Sequence, residues 1–418
     1  MTGPFDGIKV LELGRFIAVP YCGEMLAEGG ADVIKVEALE GDQTRHNGPI
    51  IDGEGRQFLN KNRGKRSVAV DLDDREVLDA IRVIAAQSDV VLANFRPNLS
   101  EQLGLDYDTI RELNPAVIYA ENTAYGRQGP LANSPGMDIV LQGYSGIAHQ
   151  TERGPEQLVN PMIDYTTALT MAWGVSSALF HRERTGEGQR LDVALLHSAM
   201  VMQNNQLTHV DAIDGWRSDF LDYKRDALNA GASWGEILEQ RDQMQPHQVM
   251  RAYYGFFETA DGMIGTACNA RTLRGRMIEL MEIEDRWTTE PGWLPEDAKA
   301  HAAAVRDQVV AKFTEHPTEY WIEAFSARGL PIGPARLSDE LFEDPQVIEN
   351  GFLGQFEHEL IGQVTVVGPP VKFERTPMEL QPSVPLGKHT HEVLTEAGLD
   401  DEAVQRLADR GVVRMFDQ

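Results

Sequence analysis

Asp164 is the acidic side chain best placed in the sequence for covalent chemistry. It lies within Asn160–Thr167, where a polar segment gives way to a long apolar run with helical spacing. An Asp at such a point is typical of a helix N-cap, and the positive end of a helix also keeps a carboxylate ionised. An ionised carboxylate can attack an activated carbonyl carbon. We therefore interpret Asp164 as both a cap and a candidate nucleophile.

Three further segments carry groups that suit a phosphorylated ligand. Gly126–Pro130 is rich in glycine, and Asn94–Pro97 combines an amide, an aromatic ring and a guanidinium group. Lys61–Arg66 concentrates basic residues in an acidic chain, which indicates either a polyphosphate site or a solvated basic surface. The glycine-rich segment also has an ordinary explanation, because glycines form turns.

Motifs for several other chemistries are absent from the sequence. Leu13 is followed by Gly14–Ala18 rather than by G-x-G-x-x-G, and no G-x-x-x-x-G-K-[ST] occurs, so NAD and nucleoside triphosphates are not expected. Cys22 and Cys268 are the only cysteines and lie far apart. This spacing predicts neither a metal site nor a disulfide framework.

The elements that must position these residues indicate an α/β protein. Short β-branched runs alternate with helical periodicity, which predicts parallel strands joined by crossover helices and a ligand site beyond the carboxyl ends of the strands. The predicted strands are Ile8–Leu13, Asp32–Val36, Ser67–Val70, Asp89–Ala93 and Val117–Ala120. The predicted helices are Tyr21–Glu28, Arg75–Gln87, Asp108–Leu113 and Tyr165–Arg184, the last with a stop at Thr185–Gly188 and with Leu191–Leu196 leading into a further helix.

A change of composition near residue 211 predicts a domain boundary. The polar stretch that begins there is followed by an Asp-Gly hairpin pattern between Phe256–Thr259 and Met263–Ala267. We predict a large domain over 1–210, a connecting helix with a small α+β domain over 211–325, and a return segment over 326–418. The predicted strand Gly362–Val367 and helix Thr390–Ala397 lie in the return segment, which we expect to complete the large domain.

The charge of the chain restricts its partners. The sequence has 65 acidic and 38 basic residues and a formal net charge of −27, which argues against nucleic acid and against an anionic membrane as partners. No apolar window is long enough to span a bilayer, and the N-terminus lacks a basic region followed by an apolar stretch. We expect a cytoplasmic protein.

Segments along nearly the whole chain carry a family resemblance. They are Leu11–Leu13 with Pro20, Gly30–Glu37 with Gly41, Asp42 and Arg45, Asn94–Pro97, Tyr125–Pro130, Arg182–Gln189, Pro331–Pro334 and Leu386–Thr390. In this order they resemble the class III coenzyme A transferases, the family that includes formyl-CoA transferase, carnitine CoA-transferase and the α-methylacyl-CoA racemases.

The resemblance implies a fold and a reaction. The implied fold has a Rossmann-like large domain built from both chain ends, an inserted small domain, and an interlocked homodimer. The implied reaction is CoA transfer from an acyl-CoA donor to a carboxylate acceptor, with CoA thioesters as substrates and no metal. Asp164 falls on the family's nucleophilic aspartate, so we expect an aspartyl-acyl anhydride and then an aspartyl-CoA thioester.

The resemblance also implies contacts with CoA. By position these are Ile17, Ala18, Val70, Asp71, Leu72, Asn94, Phe95, Arg96, Met137 and Asp138. Ala38 and Gln102 stand where some members have arginines directed at the CoA nucleotide. We therefore expect Arg45, Lys61 or Arg63 to supply that positive charge.

Two other functions stay open at this point. An α-methylacyl-CoA racemase needs a base on each side of the α-carbon, but Met137 occupies the position of the racemase histidine and Asn269–Arg271 contains no glutamate. A non-catalytic acyl-CoA-binding protein would have no need of a carboxylate such as Asp164 beside a thioester. Both considerations favour CoA transfer.

Overall fold

The computed structural model describes residues 3–51, 53–246 and 249–416. Its strands are β1 Lys9–Leu13, β2 Asp32–Glu37, β3 Ile50–Ile51, β4 Glu54–Gly55, β5 Lys65–Val70, β6 Val90–Ala93, β7 Ile118–Thr123, β8 His149–Thr151, β9 Gly154–Glu156, β10 Gln189–Ala194, β11 Tyr254–Glu258, β12 Met263–Ala267, β13 Ile332–Pro334, β14 Leu353–His358, β15 Gly362–Val367 and β16 Val413–Arg414.

The helices follow the same chain order. They are α1 Ala18–Glu28, α2 Arg56–Leu59, α3 Arg75–Gln87, α4 Leu99–Leu103, α5 Tyr107–Leu113, α6 Asp138–Ser145, α7 Met162–Thr185, α8 Leu195–Met202, α9 Asn204–Leu207, α10 Trp216–Asn229, α11 Trp234–Met244, α12 Arg271–Met281, α13 Arg286–Thr289, α14 Ala298–Phe313, α15 Thr318–Ser326, α16 Pro345–Glu349, α17 Thr390–Glu396 and α18 Asp401–Asp409. None of the helices in the described ranges is long and apolar enough to cross a membrane.

The chain forms two compact units. The first contains residues 1–210 and 346–418, and the second contains residues 211–345. The first break falls at the expected position, whereas the second lies later than the expected boundary at 325. The reason is that β13 pairs with β12, so that the segment after 325 belongs to the small sheet of the second unit.

A seven-stranded sheet forms the centre of the first unit. Its strand order is β10-β7-β6-β1-β2-β5-β16, and all neighbouring strands are parallel except β16, which pairs antiparallel with β5. Helices α3, α17 and α18 cover one face, while α1 and α7 cover the other. Strand β6 is buried along its whole length, as expected for a strand covered on both faces. The predicted α/β class with a mainly parallel sheet is confirmed.

The second unit has its own sheet and core. Strands β11, β12 and β13 form an antiparallel sheet, and the predicted hairpin between β11 and β12 is confirmed. Aromatic and aliphatic side chains of α12, α14 and α15 pack into this core.

One strand of the first unit was not predicted. The run Leu191–Leu196 was expected to lead into a helix, and helix α8 does begin at Leu195, but the residues before it, Gln189–Ala194, form strand β10. The difference arises because β10 pairs in parallel with β7 and so completes one edge of the sheet. The predicted stop of α7 is confirmed, since Gly186 ends the helix with a φ of 77°.

Candidate active site

A cavity of about 1060 Å³ opens in the first unit at the carboxyl ends of β1, β6 and β7. Its lining comes mainly from the segments that follow these three strands, together with the start of α6 and the first turn of α7. This edge of a parallel sheet is where open α/β folds bind ligands. The location agrees with the site predicted from the sequence.

Asp164 lines this cavity from the first turn of α7. The expectation that Asp164 caps the helix is wrong, because α7 begins at Met162 and the N-cap position is Pro161. The carboxylate of Asp138 does the capping instead. Its Oδ2 accepts hydrogen bonds from the backbone N–H groups of Ile163 (2.9 Å) and Asp164 (3.1 Å). Asp164 is therefore held at the positive end of the helix with its own carboxylate free of the capping role.

Asp138 is tied to the protein through both of its oxygens. Oδ1 accepts a hydrogen bond from Nε2 of Gln142, and Oδ2 bonds to the start of α7. The residue is only 7% exposed. These bonds support a role for Asp138 in holding the first turn of α7, which carries Asp164, and they give the predicted contact of Asp138 with CoA no separate support.

The environment of Asp164 disfavours its negative charge. Burial raises the pKa of Asp164 to about 7, the nearby charge of Asp138 acts in the same direction, and the charge of Lys61 opposes both. The carboxylate thus loses its proton near neutral pH. A partly desolvated carboxylate is also a better nucleophile than one fully hydrated in water.

The loop after β1 is held by Asn94. Oδ1 of Asn94 accepts a hydrogen bond from the backbone N–H of Arg15 (3.0 Å), and Nδ2 donates one to the Arg15 carbonyl (2.9 Å). Phe16 in the same loop has a φ of 68°, which is costly for a residue other than glycine. The amide of Asn94 therefore fixes the strained loop that carries Ile17 and Ala18 into the cavity.

Most of the predicted contacts are brought together, but three are not. The cavity lining contains Asp164 and the predicted contacts Ile17, Ala18, Asn94, Phe95, Arg96, Met137 and Asp138. Val70, Asp71 and Leu72 do not line it. Val70 is a buried strand residue paired with Val413, and Leu72 packs against the hydrophobic core. These three positions remain predictions that the cavity does not support.

Most of the basic segment Lys61–Arg66 is buried, and its partly exposed basic residue, Arg66, forms ion pairs with Asp32, Glu392 and Glu396. Arg63 is buried and forms ion pairs with Glu24 and Glu28, and Lys65 is buried against Glu12. Arg45 is also buried, between two carboxylates. The expectation that Arg45 or Arg63 binds the CoA phosphates is therefore wrong, because their charges are already satisfied inside the protein.

The glycine-rich segment Gly126–Pro130 has a structural explanation. Gly126 and Gly129 both have a φ of 92°, a conformation that other residues rarely adopt. Arg127 lines the cavity but pairs with Glu121. The segment therefore forms turns at the edge of the cavity.

Arg15 is a cavity residue that the sequence interpretation missed. Arg15 and Arg96 both line the cavity and are exposed, and neither guanidinium has an acidic partner among the described residues. The position of Arg15, two residues beyond the carboxyl end of β1, could have identified it. These two groups are the cations best placed for the phosphates of a ligand.

Arg96→Ala and Arg15→Ala are each expected to weaken CoA binding by about ten-fold or more, because charge-assisted hydrogen bonds to phosphate contribute about 1.5–3 kcal/mol. Calorimetric titration with CoA measures the effect. Arg111→Ala is the matched control, since Arg111 is exposed on α5 and does not line the cavity. Unchanged affinity in both cavity variants would place the phosphates elsewhere.

A metal centre finds no support in the side-chain arrangement. Within residues 3–51, 53–246 and 249–416, no cluster of three or more His, Cys, Asp and Glu side chains is arranged to hold a metal ion. The site that the fold presents is a large cavity at a parallel sheet edge, with a carboxylate at a helix N-terminus and two free guanidinium groups.

Comparison with known proteins identifies the family of this chain. The model of CoA-transferase family III matches residues 5–390. The chain belongs to this family and is an enzyme of the CoA-transferase class. Among characterised relatives, it is 31% identical to human succinyl-CoA:glutarate CoA-transferase, covering 98% of this chain and 90% of that one. It is 32% identical to succinate--glutarate CoA-transferase of Agrobacterium fabrum, covering 97% of each.

Other comparisons agree with these. Succinyl-CoA:mesaconate CoA-transferase of Haloarcula marismortui is 30% identical, with 95% of this chain and 97% of that protein covered. The crystal structure of a CAIB/BAIF family protein from Brucella suis superposes with a TM-score of 0.72 at 28% identity, covering 95% of this chain and all of that one. Rv3272 from Mycobacterium tuberculosis gives a TM-score of 0.74 at 26% identity, with 93% and 98% of the chains covered.

Proposed function

We propose that this enzyme transfers CoA from an acyl-CoA to a free carboxylic acid, with Asp164 as the nucleophile. The observation that carries the proposal is the place of Asp164, in the first turn of α7 and on the wall of the cavity. Asp138 holds the amides of that turn, so the carboxylate of Asp164 is left free to react.

The proposed reaction proceeds through two covalent species. The Asp164 carboxylate attacks the thioester carbonyl, which forms an aspartyl-acyl anhydride and releases the CoA thiolate. The thiolate attacks the aspartyl carbonyl, which gives an aspartyl-CoA thioester and frees the donor acid. The acceptor carboxylate attacks this thioester to form a second anhydride and thiolate, and the thiolate then takes the new acyl group and restores Asp164. No proton, metal or redox step is needed for the exchange to balance.

We propose short dicarboxylic acids as the substrate class. The support is the names of the relatives, whose donors and acceptors include succinyl-CoA, glutarate and mesaconate. Arg15 and Arg96 supply positive charge to the CoA phosphates in this proposal, and Ile17, Ala18, Phe95 and Met137 line the path of the thioester.

The residues that line the cavity do not support the racemase alternative. Met137 lines the cavity at the position of the racemase histidine, and a thioether cannot accept a proton from the α-carbon. The cytoplasmic location and the absence of a nucleic-acid partner remain predictions from the sequence.

The proposed function is tested by a screen of CoA donors against carboxylate acceptors, with mass spectrometry of the new thioesters. We expect the highest rates for pairs of short dicarboxylic acids. Hydroxylamine added during turnover should convert the activated aspartyl group to a hydroxamate, seen as a mass change on the peptide that contains Asp164. Exchange without modification of that peptide would contradict the proposed nucleophile.

We also propose that the protein is a homodimer, interlocked as the family resemblance implies. One side of α7 presents an apolar stripe formed by Leu169, Trp173 and Phe180, with Trp173 73% and Phe180 65% exposed. These positions lie four and seven residues apart and so share one helix face. Exposed apolar side chains in a row mark an interaction surface, and a second copy of the chain is the occupant we propose.

Sedimentation should give twice the chain mass of 46.5 kDa at micromolar concentration. Trp173→Glu should lower the free energy of unfolding of the dimer, because it places a charge in an apolar interface, whereas chains that are interlocked cannot separate while they stay folded. Val83→Glu is the control, since Val83 is an exposed apolar residue on α3, away from this stripe. A folded wild-type monomer would exclude the interlocked arrangement.

A further inference from the structure

Lys61 differs from the other buried cations around the sheet. The others are each paired with buried carboxylates, namely Lys35 with Glu12 and Asp42, Arg45 with Glu37 and Glu54, Arg63 with Glu24 and Glu28, and Lys65 with Glu12. Lys61 is only 3% exposed, yet no carboxylate of the described residues lies within ion-pairing distance of its ammonium group. A buried charge without a partner is costly, so its retention calls for an explanation.

The contacts of Lys61 place its charge beside the first turn of α7. Its Nζ donates hydrogen bonds to the carbonyl oxygen of Gln57 (3.2 Å) and to Oδ1 of Asn60 (2.7 Å), both of which are neutral. The same Nζ lies 5.7 Å from the ring centroid of Tyr165, the residue that follows Asp164. The ammonium group is thus held beside the turn that carries Asp164, and its direct hydrogen-bond partners carry no charge.

Several charged side chains act on Asp164 and on Lys61. Asp164 is affected by the negative charge of Asp138 and by the positive charge of Lys61. Lys61 in turn is attracted by Glu24, Asp164 and Asp42 and repelled by Arg63. Burial lowers the pKa of Lys61 to about 8, so it still carries its charge at neutral pH.

We propose that Lys61 is a positioning residue for the reaction, whose buried ammonium group keeps the carboxylate of Asp164 ionised without touching the substrate. This inference rests on the proposed function, because it assumes that Asp164 is the nucleophile. Asp138 caps the helix but its negative charge works against ionisation of Asp164, and the positive charge of Lys61 offsets that effect. The nucleophile then reacts near neutral pH in spite of its burial.

The proposal fixes the direction of the pH dependence. Only ionised Asp164 attacks, so the rate of acylation rises as the pH passes the pKa of Asp164. Removal of the Lys61 charge raises that pKa, and the acidic limb of the profile should move up by about one pH unit. At about pH 7 the rate then falls about five-fold. Above about pH 8 Lys61 of the wild type loses its own proton, so wild type and variant should converge.

The experiment compares Lys61→Met, Lys61→Arg and a control, Lys9→Met, by single-turnover acylation of Asp164 from about pH 6 to pH 9. Lys61→Met should show the shifted limb, and Lys61→Arg should retain the wild-type limb because it retains the charge. Lys9 is exposed at the start of β1, and the cavity opens at the other, carboxyl end of that strand. Lys9→Met should therefore match wild type. An unshifted limb in Lys61→Met, or the same shift in Lys61→Arg, would overturn the proposal.

A folding defect in the Lys61 variants can be distinguished from the expected shift of the pH profile. Replacing an unpaired buried charge by an apolar side chain of similar length should leave stability unchanged or raise it, which thermal unfolding measures. Lys61→Gln serves in the same assay should Lys61→Met fold poorly. The two proposals fail in different ways. If the proposed function is wrong, Asp164→Asn retains CoA exchange. If only the inference about Lys61 is wrong, Asp164→Asn is inactive and the pH profile of Lys61→Met is the same as that of wild type.

Discussion

Asp164→Asn is expected to lower CoA exchange by at least about a thousand-fold while leaving CoA affinity within a factor of about two. The amide lacks the nucleophilic oxygen that would form the anhydride in the proposed reaction, but it occupies about the same volume. Helix α7 should remain capped, because the capping carboxylate belongs to Asp138. Initial-rate assays and calorimetric titration with CoA measure the two quantities on the same preparation.

The same substitution should make the protein more stable near neutral pH. The folded pKa of Asp164 is raised to about 7, above the value for an unfolded chain, so its contribution to stability is lost as the pH rises through that interval. Asparagine does not ionise and so loses no stability as the pH rises. Denaturant unfolding at about pH 8 should therefore show a higher free energy of unfolding for the variant than for wild type. Asp73→Asn, at an exposed site outside the cavity, should change neither activity nor this pH dependence. Near-normal exchange by Asp164→Asn would refute its assignment as nucleophile.

Arg45→Met is expected to destabilise the fold by about 3–5 kcal/mol, since it leaves two buried carboxylates without their partner. Arg45 is 1% exposed. Its Nε and Nη2 donate to Glu37 (2.8 and 2.9 Å), and its Nη1 donates to Glu54 (2.6 and 2.8 Å). Chemical denaturation measures the loss, and the fraction that remains folded should bind CoA with wild-type affinity.

The loss in Arg45→Met should also depend on pH. Burial already raises the pKa of Glu54 to about 7 despite the opposing charge of Arg45, so without Arg45 this carboxyl must take up a proton in order to fold. Destabilisation should therefore be greater at about pH 8 than at about pH 6. Arg406→Met removes an exposed pair with Glu76 and should cost less than about 1 kcal/mol at either pH. A weakened CoA affinity with unchanged stability would restore Arg45 as a phosphate ligand.

Local patterns in the sequence were sufficient for many of the elements. Helix α3 has the predicted bounds Arg75–Gln87, because an Asp N-cap and strong apolar periodicity define it without help from other segments. Strand β10 was missed because the short apolar run Leu191–Leu196 is compatible with a strand or a helix, and only its pairing with β7 decides between them.

The details of the site depended on contacts distant in sequence. The position of Asp164 came from its motif and the family resemblance, but its cap comes from Asp138, 26 residues earlier. Likewise, nothing in the local sequence around Arg63 shows that Glu24 and Glu28 of α1 neutralise it. The sequence shows that Lys61–Arg66 is basic, but only the tertiary structure shows that Lys61, Arg63 and Lys65 are buried.

The ion pairs of Arg45, Arg63, Lys35 and Lys65 lie out of contact with water. Dissolved ions screen charges at the surface but barely reach such buried pairs. The surface charges and the buried ion pairs of this protein should therefore respond differently to ionic strength. The formal net charge of −27 means that acidic groups at the surface repel one another through the solvent, and added salt screens that repulsion. The internal pairs, among which Lys35–Glu12 and Lys65–Glu12 join strands of the central sheet, keep their strength in dilute buffer and in concentrated salt alike.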